Sequence, residues 1–69
     1  MQLKVECRFS SNTAELVNTI RKYREGRGSS LDSWCFACQD AARALHCQCY
    51  FRLEAAPDGE EFQAVAVFL

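Results

Sequence analysis

The stretch "DSWCFACQD" (32–40) contains Trp-Cys-x-x-Cys, and "HCQC" (46–49) follows it closely. Two chemistries use such residues. Thiol–disulfide exchange needs the first of two closely spaced cysteines exposed at a helix N-terminus, where the backbone dipole lowers its pKa and supplies a thiolate. A tetrahedral zinc site needs four sulfur or imidazole ligands, and Cys35, Cys38, His46, Cys47 and Cys49 offer enough. Which of these can operate depends on the elements that carry the residues.

"LKVECRF" alternates strictly. Leu3, Val5, Cys7 and Phe9 face one way, and Lys4, Glu6 and Arg8 the other, as in a half-buried strand. Asn12 and Glu15 have the spacing of a capping box. The helix that follows aligns Thr13, Leu16, Val17, Ile20 and Tyr23, and Gly26 and Gly28 end it. A second helix from Ser29 or Ser30 gathers Leu31, Trp34, Cys35, Cys38, Ala41, Ala42 and Leu45 on one face. "CQCYFRLE" returns to period two, with Cys47, Cys49, Phe51 and Leu53 on one side. "APDGE" is turn chemistry, and "FQAVAVFL" is a strand apolar on both faces. The expected fold is α+β, in the order β-α-α-β-β. A three-stranded, mainly antiparallel sheet carries two helices on one face, with the last strand central. Residues 1–69 are expected to form a single compact domain.

These elements weigh against both chemistries. Thioredoxin-like sites follow a buried strand, whereas the polar "EGRGSS" precedes this motif. A zinc knuckle places its Cys-x-x-Cys on a tight turn, whereas this pair lies within a helical stripe. All five cysteines fall on expected core faces, where a free thiol packs as a small hydrophobe. Five is also an odd number for a disulfide scaffold. His46 is expected near the last carbonyls of the second helix. No paired nucleophile and base and no Gly-rich phosphate loop appear, so an enzyme is not expected, nor is a cofactor.

Charge bears on partners. Residues 1–28 hold six basic groups against three acids, and residues 29–69 hold two against six. A helical pair followed by a β-hairpin is similar in layout to winged-helix DNA binders. The would-be recognition helix, however, carries Asp32 and Asp40, and the would-be wing reads "PDGEE"; phosphate repels both. The basic segment 21–27 could touch phosphate or an acidic protein, or form an ordinary solvated helix end. No apolar run approaches the roughly 18 residues of a membrane span, and "MQLKVECRF" lacks a signal peptide's continuous apolar stretch. A cytoplasmic location is expected.

Two surface features remain. Phe36 lies opposite the core stripe of the second helix, beside Asp32, Ser33, Asp40 and Arg43. An aromatic ringed by charge has the character of an interface anchor, unless the first helix covers it. The last strand keeps apolar residues on the sheet face away from the helices, which offers a route to a homodimer through that open face.

The layout, with acids at Asp32, Asp40, Glu54, Asp58, Glu60 and Glu61, resembles the small phage-encoded anti-CRISPR proteins. That group shares no common motif, so the resemblance covers overall architecture and charge. It implies a non-enzymatic inhibitor in the host cytoplasm. Such a protein would block a host nucleic-acid-targeting complex by bulk or by presenting carboxylates where a basic channel expects DNA phosphates. The expected contact surface is Asp32, Phe36, Asp40, Glu54, Asp58, Glu60 and Glu61, and the partner is a host protein or complex with a basic surface. Two alternatives stay open: a small zinc-binding module using the Cys/His cluster, and a winged-helix-like nucleic-acid binder.

Overall fold

The computed structural model describes residues 2–9, 12–59 and 61–69. Strand β1 (Gln2–Cys7) leads into helix α1 (Thr13–Arg24) and helix α2 (Leu31–Ala44). Strands β2 (Cys49–Ala55) and β3 (Phe62–Phe68) complete the expected β-α-α-β-β order. The strands form one sheet in the order β1-β3-β2, with β3 central.

The sheet is mixed. Strand β2 runs antiparallel to β3, but β1 runs parallel to it, in a register that sets Gln2 beside Gln63 and Cys7 beside Phe68. This corrects the expectation of a mainly antiparallel sheet. Each short connection reverses the chain, and four reversals separate β1 from β3. A strand inserted beside β1 after four reversals must point the same way.

Capping sets the helix ends. The Asn12 side-chain carbonyl accepts from the Glu15 N–H at 3.1 Å. The Glu15 carboxylate in turn accepts from the Asn12 side-chain amide at 2.9 Å, whereas the usual capping box uses the backbone N–H. At α2, Ser30 Oγ accepts from the Ser33 N–H at 3.1 Å. Ser33 donates its hydroxyl proton to the Arg27 carbonyl at 2.7 Å, so the Ser30 hydroxyl donates to Ser33 across their 2.8 Å contact. This network buries Ser33, a residue expected on the outer face. Helix α2 ends in a Schellman motif, with Cys47 N–H donating to the Ala42 carbonyl at 3.0 Å and His46 N–H to the Arg43 carbonyl at 3.2 Å. His46 takes the left-handed position, at φ 55°, where glycine is usual.

Both helices cover one face of the sheet. Leu16 and Ile20 of α1 pack with Trp34, Cys38 and Ala42 of α2 over Ala64, Ala66 and Phe68. Each large apolar side chain so buried contributes roughly 1.5–3 kcal/mol. Ala37 and Ala41 are fully buried, and such small side chains suit close helix packing. The Trp34 and Phe51 rings meet edge to face with centroids 5.8 Å apart, a geometry that adds about 0.5–1.5 kcal/mol.

The open face is not the apolar surface that the sequence suggested. Val65 and Val67 point there, yet both are 0% exposed. Lys4 and Arg52 flank Val65, and Glu6 and Tyr50 flank Val67. Arg52 reaches diagonally across β3 to Glu6, Nη1 to Oε2 at 3.2 Å, and so roofs the valines. The apolar residues on which dimerisation through this face was expected are therefore covered within one chain.

Candidate protein-binding surface

The thiols of the Trp-Cys-x-x-Cys motif and its neighbours lie in the core. Cys38 is buried, and Cys7, Cys35, Cys47 and Cys49 are half-buried against the same core; all five are free. Burial pushes the Cys38 thiol up to about 12, with nearby Cys49 and Cys35 adding to the rise and Arg24 opposing it. Burial raises Cys49 to about 11, aided by Cys47 and Cys35. Cys35, the first cysteine of the motif, is raised by burial and then by the Asp32 charge. A redox nucleophile needs the opposite shift. Among the described residues, no three His, Cys, Asp or Glu side chains gather as metal ligands.

The outer face of α2 is built differently. Phe36 projects from the middle of the helix and is 56% exposed, so α1 does not cover it. The preceding loop folds back, setting the Arg27 guanidinium 6.0 Å from the ring centroid, within cation–π range. Arg27 Nη2 also donates to Asp40 Oδ2 at 2.7 Å, and Arg43 approaches Asp40 Oδ1 at 3.4 Å. Asp40 is thus clamped between two guanidiniums and half-buried. The sequence reading grouped Asp40 and Arg43 with Phe36 but missed Arg27, thirteen positions from its carboxylate partner. Asp32 is exposed in the first turn of α2, where a carboxylate complements the helix dipole.

The remaining acids lie elsewhere. Glu54 is on the open face of the sheet, where Arg52 Nε donates to it at 3.1 Å and the Gln63 amide donates to its other oxygen. The Arg52 and then the Gln63 hydrogen bonds hold its carboxyl below the ordinary value of 4.5. Asp58 and Glu61 are exposed at the β2–β3 turn, and Glu60 lies outside the described residues. The acids therefore occupy the outer face of α2, the open sheet face and the hairpin turn. Two of them, Asp40 and Glu54, are already matched by arginine.

No family model, curated protein or solved structure matches the chain.

Arg21, Lys22 and Arg24 of the basic segment 21–27 line a broad groove of about 610 Å³ with Asn18, Gly28 and Ser29. Two of the segment's four cations are already engaged. Arg24 donates to the Ser30 carbonyl at 3.0 Å, and Arg27 is held by Asp40. A second feature escaped the sequence reading. At the hairpin end of the sheet the helix layer stops short, leaving Leu53 65% exposed and Phe62 64% exposed. Leu53 lines a cleft of about 240 Å³ with Leu31, Cys35 and Phe51. Strict alternation put Leu53 on the core side but could not show that α2 begins too late to cover it.

Proposed function

We propose that this protein is a non-enzymatic binding module that acts by occupying a surface of a protein partner through the outer face of α2. The observation that carries this reading is Phe36, an exposed aromatic set in a frame of Arg27, Asp40 and Arg43. Aromatic side chains supply much of the energy of protein interfaces, and a surround that excludes water strengthens them. The Arg27–Asp40 pair pre-orders part of that surround, which lowers the entropic cost of docking. Raised thiol pKa values speak for sulfur as packing material.

In the anti-CRISPR-type setting, the proposed action is steric blockade of a host nucleic-acid-targeting complex. Presentation of a row of carboxylates in place of DNA fits less well, because Asp40 and Glu54 are paired and the acids face three ways. The proposed partner surface is an apolar pocket with a basic rim, the rim meeting exposed Asp32. The test compares the wild-type chain with Phe36→Ala, matched in circular dichroism and melting temperature, as bait for host complexes. A partner held by wild type should be lost or weakened at least tenfold by Phe36→Ala, since truncating an anchor of this kind costs about 2 kcal/mol or more. Equal capture by both baits overturns the reading. Equal loss on reversing Asp58 and Glu61 alone returns the contact to the hairpin turn.

A further inference from the structure

Among the described residues, strand β2 pairs with β3 on one side only, so its other edge presents unpaired backbone groups. Beside that edge lies the uncovered Leu31–Leu53 cleft. We infer that the β2 edge is a self-association site, at which a second copy of this chain adds its own β2 antiparallel to form a continuous six-stranded sheet.

The side-chain order of β2 selects this occupant. A two-fold axis perpendicular to the sheet keeps both helix layers on one side, so residues facing each other across the junction must share a face. That parity leaves registers centred on a residue. Centring on Arg52 opposes two arginines, and centring on Glu54 opposes two carboxylates. Centring on Leu53 sets Arg52 opposite Glu54 of the other copy, twice by symmetry. It also sets Leu53 against Leu53 and Phe51 against Ala55. On the open face, Arg52 already bridges Glu54 and Glu6 within one chain, and the junction extends the same alternation of charge. On the helix side, Leu53 is 65% exposed and the leading residue of α2, Leu31, lies beside it, so pairing covers apolar surface that the monomer leaves wet.

Strand β1 is the other edge, and charge alone does not exclude it. Its middle residue on the helix side, Val5, is already packed in the core and gains little from a partner. Leu53 is absent from that core. The junction is one short strand, so the dimer is reversible and depends on concentration.

The experiment is sedimentation equilibrium of the full chain up to sub-millimolar concentration, with hydrogen exchange of the β2 amides read alongside. Wild type should dimerise, and protection of the β2 amides should rise with concentration. Arg52→Glu and Glu54→Arg each place like charges opposite one another at both symmetric positions, and each alone should weaken the dimer about tenfold or more. Mixed together they should associate, since one chain then supplies acids and the other bases at every facing pair. Leu53→Lys guards against misfolding, because it sets two cations at the axis without touching an ion pair; it should leave a folded monomer. A wild-type chain that stays monomeric overturns the proposal. So does a dimer that survives Leu53→Lys, or one lost on Lys4→Glu alone, which would assign pairing to β1.

Discussion

The two faces of the central strand β3 are buried alike by unlike means. On one face, helices carrying Leu16, Ile20, Trp34, Cys35 and Cys38 cover Ala64, Ala66 and Phe68, with Cys7, Cys47 and Cys49 packed against the same core. On the other, no element of the described residues lies over the strands, and the long side chains of Arg52, Glu6, Lys4 and Tyr50 flank Val65 and Val67, with Arg52 crossing β3 to Glu6. Aliphatic stems cover the valines while the charged heads bond to each other in water, as arginine and lysine commonly do. A salt-bridged roof lets a central strand be apolar on both sides without a second helix layer. The lesson is that an apolar pattern in a strand does not by itself predict an apolar surface.

The sharpest test removes the largest fully buried side chain on the helix side. Phe68→Ala should cost about 3–5 kcal/mol, close to the whole stability expected of so short a domain. Urea titration should find it largely unfolded. A folded Phe68→Ala protein would mean that the helix layer is not the main core. Val67→Ala asks the same question of the open face. Removing two buried methyl-sized groups should cost about 1.5 kcal/mol if the roof is dry. A loss below about 0.5 kcal/mol would show that water already reaches the valine, as at an ordinary surface site.

Acid and alkali should attack different faces. Folding raises the Cys38 thiol from 9.0 to about 12, so the folded state keeps a proton that the unfolded chain gives up. Its contribution is fully present below pH 9 and is lost as pH rises towards 12. Cys38→Ala should flatten that alkaline fall in melting temperature, whatever its effect at neutral pH. Glu54 has the opposite sign. Its carboxyl is held below 4.5, so its contribution is present above that value and fades as pH falls through the folded-state pKa. Glu54→Gln should flatten the acid limb and leave the alkaline limb unchanged. If both substitutions changed the same limb, the two faces would not be electrostatically independent.

The sequence revealed the element order because alternation, caps and turn residues acted locally. Asn12 caps where its spacing from Glu15 says it should, and Ser30 is the cap of the two serines at which the second helix was expected to start. The parallel pairing of β1 was also legible, by counting reversals once β3 was taken as central. Phe36 was correctly read as facing away from the sheet, whereas nothing near Asp40 in the chain announced Arg27 as its partner. His46 hid its role for a different reason: a helix-ending signal is usually glycine, and here a histidine holds φ 55°. The closed open face was the hardest to foresee. Alternation says which way Arg52 and Glu6 point, but not that one side chain will lie across β3 to reach the other.

That last feature can be divided by experiment. Arg8 also approaches Glu6, but at 3.6 Å from the rim, with a side chain more than half exposed. Arg8→Ala should change stability by no more than about 0.5 kcal/mol, as exposed pairs generally do. Arg52→Ala should lower the melting temperature further, because it removes both the charge and the stem above the valines. Arg52→Met keeps an apolar stem and deletes only the charge. If cover matters more than attraction, Arg52→Met should fall between wild type and Arg52→Ala, nearer to wild type at high salt, where screening weakens the ion pairs of every variant that retains them. An Arg52→Met protein as unstable as Arg52→Ala would make the ion pairs themselves the roof, and the valines would owe their dryness to charge.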